Sequence, residues 1–211
     1  MHKVFVSFHH KNDQDYKDYL VDWAEENEVF IDGSVETGNI SDDLTDEEIR
    51  IMIRDDYLKD TTVTILLVGT ETKYRKHIDW EIYSSMYDGK KNKKSGILVI
   101  LLPSVKSDYC TAAHEGEKEI IFNYITNWKS INTKTEYEER YPYLPERILD
   151  NLLNNKAKIS VVNWNSLLED KSETNNYELS KEKLEYMIEM AYEDKEECVY
   201  DLSRPMRRRN G

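Results

Sequence analysis

Short apolar runs alternate, along the first half of the chain, with stretches whose apolar residues recur at helical spacing, the pattern of strands followed by helices. Residues 3–8, "KVFVSF", are β-branched and aromatic and stop abruptly at "HHKND". This predicts a short strand and then a helix capped by Asn12 or Asp13, with Tyr16, Tyr19, Leu20 and Trp23 on one face. "EVFID" at 28–32 reads as a second strand and 33–43 as a loop. Thr45 followed three residues on by Glu48 is a capping box that opens a second helix. The run 61–69, "TTVTILLVG", is nearly all apolar through its middle, as a central strand covered on both faces requires. A helix over 77–88 and a strand over 95–103 follow.

Strands that alternate with helices form a parallel, doubly wound sheet, because parallel neighbours need crossover connections, and ligands of such sheets lie at the C-terminal strand ends. Beyond Pro103 the pattern predicts a loop over 104–116, a helix over 117–128 and an irregular segment over 129–145. A helix at "PERILDNLL", a last strand at 157–164 and a charged helix near 181–196 come next, the last with Leu184, Met187, Ile188 and Ala191 on one face. "RPMRRRNG" reads as a frayed, solvated tail. The division expected is one α/β domain over 1–165 and a C-terminal helical extension over 166–211 packed on it, which 211 residues with 39% hydrophobic content can support.

Composition narrows the partners. A formal charge of −13 opposes binding to nucleic acid or to an anionic membrane surface, both being negative. Two cysteines, Cys110 and Cys198, without a CxxC pair, indicate neither a disulfide framework nor a zinc site, and point to a reducing cytoplasm. No apolar run approaches the roughly 20 residues of a membrane helix, and "MHKVFVSF" enters a strand with no signal-peptide segment before it. The strand ends lack GxGxxG, GxxxxGK[ST] and GxSxG, and the acidic residues of a receiver domain are missing, so four common uses of such a sheet are unsupported.

What remains is a carboxylate. On a helix over 77–88, Ile78, Ile82 and Met86 share the buried stripe, Glu81 and Ser85 share one edge of it, Asp79 borders the other edge, and Trp80 points away. Two readings of Glu81 stay open on the residues alone: an ordinary helix-edge carboxylate, or a reactive one whose pKa partial burial raises.

The blocks "KVFVSFHHKND", "TTVTILLVGTET" and "KHIDWEIYSSM", in this order over about the first 103 residues, resemble the bacterial TIR-like proteins, in particular the small TIR-like proteins of the Thoeris anti-phage defence system. The resemblance implies a flavodoxin-like doubly wound sheet with C-terminal helical additions. It also implies, for active members, cleavage of the nicotinamide–ribose bond of NAD by a glutamate on this helix, here Glu81. The family often carries a tryptophan four residues before that glutamate; here His77 holds that place and Trp80 directly precedes Glu81.

Carried over by position, Ser7, Phe8, His9, Asp32 and Thr70 would line the pocket. Lys73, Arg75 and Lys76 would meet the pyrophosphate, and Ser85 stands beside Glu81. The resemblance further implies that NAD is the substrate, with no additional cofactor and no metal, and that a cyclic ADP-ribose-type product acts on a separate effector protein. The second reading is a non-catalytic interaction module, which self-associates or assembles with other TIR-like domains through the same helix edge.

Overall fold

Six consecutive side chains from Val63 to Val68 are all buried, which a strand covered on both faces allows. In the computed structural model, which describes residues 1–34, 40–41, 43–171 and 176–211, this segment is the interior strand β3. It lies between β1 (His2–Ser7) and β4 (Gly96–Leu101). With β2 (Phe30–Asp32) and β5 (Ser160–Asn163) at the edges, the sheet runs β2-β1-β3-β4-β5, every pair parallel. The chain thus adopts the expected flavodoxin-like α/β fold with C-terminal helices.

Helices cover both faces. On one, α1 (His10–Glu26) and α7 (Lys181–Asp194) bury Leu20, Trp23, Leu184, Met187, Ile188 and Ala191 against Val4, Val6, Ile65 and Leu98. On the other, α3 (Lys76–Met86), α5 (Lys134–Arg140) and α6 (Glu146–Leu152) close over Leu66, Val68, Val99 and Val161. The predicted face of the C-terminal helix is the buried one, and it is seated on β4 at Gly96, where an added Cβ would lie 2.0 Å from the Ala191 carbonyl oxygen. Gly96→Ala must therefore push α7 off the sheet. We expect a loss of at least about 2 kcal/mol in chemical denaturation, and an unchanged midpoint would show that the helix is not held there.

Several expectations change. The first helix starts at His10 with His9 as its N-cap, so neither Asn12 nor Asp13 caps it; Asp13 lies inside and is buried. Of the helix expected over 117–128, α4 (Glu117–Ile120) is helical. The segment expected to be irregular contains α5, opened by a second capping box, Thr133 with Glu136. The strand over 157–164 is not the last: β6 (Leu168–Lys171) and β7 (Asn176–Leu179) pair antiparallel after it. Part of the predicted loop over 33–43 lies outside the described residues.

Two corrections are linked. Trp80 does not point away; it is 0% exposed, enclosed by Phe5, Ile49, Ile53, Leu58 and Met206. Helix α2 (Asp46–Met52) and the wider turn Ile53–Tyr57 cover that side of α3. The stretch expected to fray completes the cover: Met206 is buried, the Trp80 indole N–H donates to the Arg207 carbonyl at 2.7 Å, and the Gly211 N–H to the Tyr74 carbonyl at 3.0 Å. Helix α3 is therefore buried on nearly every side, which a single apolar stripe on a helical projection does not reveal.

Candidate functional site

The winding of the sheet reverses between β1 and β3, and a doubly wound sheet leaves its ligand crevice at the C-terminal ends of the strands flanking that point. Side chains alternate along β1: Val4 and Val6 pack toward α1, whereas Phe5 packs with Trp80. Ser7, two residues beyond Phe5, accordingly faces α3. There its Oγ donates a hydrogen bond of 2.6 Å to Glu81 Oε2. Glu81 is 5% exposed, so strand end and helix together hold one carboxyl group in the interior beside one small hydroxyl.

Burial penalises the charged form and raises the Glu81 carboxyl to about 7, while the hydrogen bond from Ser7 pulls the other way. A carboxyl group poised there can exist in both protonation states near neutral pH. The folded chain holds this proton to a higher pH than the unfolded chain does. The stability it contributes is complete below the ordinary value of 4.5 and is lost as pH rises to about 7. The loss is on the order of 3 kcal/mol. Denaturation midpoints measured from pH 4.5 to 7.5 should fall for the native chain and fall less for Glu81→Gln; parallel curves would mean that the carboxyl is solvated.

The other expected site residues are distributed unevenly. His9 stands at the N-cap of α1, buried, its pKa lowered first by desolvation and then by the nearby Arg75 cation. Thr70 follows β3 and is half-buried. Lys73 donates to the Pro142 carbonyl at 2.6 Å, and Arg75 reaches Glu71 at 3.9 Å. Three residues lie away from the crevice. Phe8 packs into the α1 core and stacks on His10, with ring centroids 4.4 Å apart, because the alternation of β1 turns it from α3. Ser85 is fully buried, its hydroxyl paired with Thr64 at 2.8 Å, so it braces α3 on β3 and offers nothing to a ligand. Asp32 pairs in register with Val4, three residues short of Ser7, and accepts from the Ser34 N–H at 2.8 Å. Asp79 forms a buried two-pronged ion pair with Arg147 on the far side of α3.

One residue of this region has no counterpart among the sequence-based site candidates. Asp13 packs against Gly69, where an added Cβ would lie 2.5 Å from its Oδ1. Burial raises its carboxyl to about 6, opposed by hydrogen bonds from the Thr72 hydroxyl and the His9 N–H. The Gly69 N–H in turn donates to Thr72 Oγ1 at 2.9 Å. This network ties the start of α1 to the loop after β3. Its sequence signal was an aspartate five residues past the strand, which reads equally well as a cap.

No curated protein and no solved structure matches the chain. A family model does: residues 5–107 match the TIR-like domain of Thoeris protein ThsB. Ser7, Glu81 and the candidates between Phe8 and Ser85 all lie inside that span. Residues 5–107 are thus similar to the TIR-like domain of the Thoeris protein ThsB.

Proposed function

We propose that the chain cleaves the nicotinamide–ribose bond of NAD and releases a cyclic ADP-ribose-type nucleotide that activates a separate effector protein. The observation that carries this reading is the buried Ser7–Glu81 pair, a carboxyl group poised near neutrality at the strand ends where this fold binds ligands.

The chemistry asks little of the protein. When the glycosidic C–N bond breaks, its electron pair goes to the nicotinamide nitrogen, and a cationic pyridinium leaves as a neutral pyridine without a general acid. The ribose is left as an oxocarbenium-like cation, which ionised Glu81 stabilises through its charge. A ribose hydroxyl takes over the hydrogen bond that Ser7 now donates. Capture by a nitrogen of the same molecule closes a ring, and capture by water gives ADP-ribose and a proton. His9, neutral in its buried place, and Thr70 line the approach, and Lys73 and Arg75 attract the diphosphate. NAD serves as substrate, so no further cofactor is needed. Among the described residues no helix is long and apolar enough to cross a membrane, and a diffusible nucleotide suits a cytoplasmic enzyme acting on a separate partner.

The test is a transfer experiment. Deproteinised, filtered lysate from phage-challenged cells expressing the chain should activate the purified candidate effector, and lysate from cells expressing Glu81→Gln should not. Equal activation by both lysates, or none by either, contradicts the signalling role.

A further inference from the structure

The segment from Arg204 to Gly211 crosses the start of α3 and is fastened on both sides. The Arg207 N–H donates to Asp79 Oδ2 at 2.8 Å, and the Lys76 N–H donates to Asn210 Oδ1 at 3.0 Å. Between this segment, the turn before α3 and the start of α6 lies a cavity of about 270 Å³. Its charged lining is Lys73, Arg75, Arg204 and Arg207 with Asp79 and Glu146. Four cations thus converge on one void in a chain whose net charge is −13.

The two acids are already committed. Asp79 is held by Arg147 at 2.9 and 3.1 Å, and Glu146 by Lys134 at 2.7 Å and by Arg204 at 3.4 Å. Of the cations, Arg204 is also held by Asp150 at 2.5 and 3.0 Å and Lys73 donates to the Pro142 carbonyl at 2.6 Å, whereas Arg75 and Arg207 are less well matched. The nearest carboxylate to Arg75 is Glu71 at 3.9 Å, and the buried Arg75 Nε has no hydrogen-bond partner among the described residues. The Arg207 guanidinium has no carboxylate partner among them either. A buried donor without an acceptor beside a cavity calls for one that enters it. Guanidinium groups match the paired oxygens of phosphate in geometry as well as charge.

We infer that this cavity is a phosphate-binding site, sized for a diphosphate and not for a whole dinucleotide, which needs a larger pocket. The C-terminal segment completes it. Lys73 and Arg75 lie within the TIR-like span 5–107, whereas Arg204 and Arg207 lie outside it, so the full set of cations exists only when that segment is docked on α3. The site is independent of whether Glu81 cleaves anything.

The probe is inorganic pyrophosphate, titrated calorimetrically into the full chain at low salt, with ADP-ribose and adenosine in parallel. Pyrophosphate and ADP-ribose should bind and adenosine should not. Arg75→Gln and Arg207→Gln should each weaken pyrophosphate binding about tenfold or more, and Glu81→Gln should leave it unchanged. Arg207→Gln keeps the backbone bonds that dock the segment, and an unchanged thermal midpoint shows that it is still docked. Displacement of pyrophosphate by NAD assigns the site to the substrate's diphosphate, and its retention assigns the site to a separate phosphate ligand. Absence of pyrophosphate binding to the native chain, or native affinity retained in both arginine variants, overturns the inference.

Discussion

Glu81→Gln should reduce the proposed NAD cleavage at least about a hundredfold and leave the chain folded. The amide keeps the volume of the acid and can still accept the Ser7 hydrogen bond, so the packing of α3 against β1 is preserved. It lacks the charge that opposes the oxocarbenium, and a carboxylate that supplies even roughly 2.7 kcal/mol to the transition state accounts for that factor. Because a neutral amide suffers no charge-burial penalty, the variant should be at least as stable as the native chain above pH 7. Rates near normal in the folded variant would move the role to another acid. Asp13 would then be the first candidate, since it is buried at the same strand ends, whereas Asp79 is held by Arg147.

Asp79→Ala costs the fold about 3–5 kcal/mol. The Arg147 side chain is 0% exposed, and its guanidinium meets both oxygens of Asp79. Removing the acid leaves a buried cation with the Arg204 and Pro205 carbonyls and the Tyr83 ring, and no carboxylate, as partners among the described residues. The same substitution removes the acceptor for the Arg207 N–H and so loosens the segment that covers Trp80. In a chain of this size the thermal midpoint should fall by roughly 10 °C. The double variant Asp79→Leu/Arg147→Met should recover most of the loss, because apolar side chains of similar volume need no counter-charge. A single variant within about 1 kcal/mol of native would mean that water reaches the pair.

The fold was legible where one local rule decided the structure. The unbroken apolar run of β3 placed it inside the sheet, and the Thr45–Glu48 capping box forms as its spacing requires. The place of Glu81 beside the buried stripe was legible, but its serine partner was not: Ser85, expected beside it, turns inward to Thr64, and the hydrogen bond comes from Ser7 at the end of β1. A helical projection orders side chains around one axis and carries no information on which strand end approaches that axis. Trp80 shows the same limit: it looked solvent-facing until α2 and the C-terminal segment covered it. That segment was misread for a composition reason, since four arginines within eight residues suggest solvation, yet it is anchored by Met206, by backbone groups, by the Asn210 side chain and by ion pairs of Arg204 with Asp150 and Arg208 with Asp46. Helix α5 had a readable signal in Thr133 and Glu136, obscured by the tyrosines and prolines around it. Asp32 and Phe8 fell at the right strand ends by sequence, and it was the register of β2 against β1 and the pleat of β1 that took them from the site.

In the proposed reaction the Glu81 carboxylate drives cleavage of the bond between nicotinamide and ribose. Its most direct measurement is mass spectrometry of NAD incubated with extracts of cells expressing the chain or Glu81→Gln, each with and without phage challenge. Nicotinamide should be released in step with an ADP-ribose-derived product in the native extract after challenge, and neither should appear with the variant. Equal nicotinamide release from native and Glu81→Gln extracts, or unchanged NAD in the challenged native extract, would contradict it.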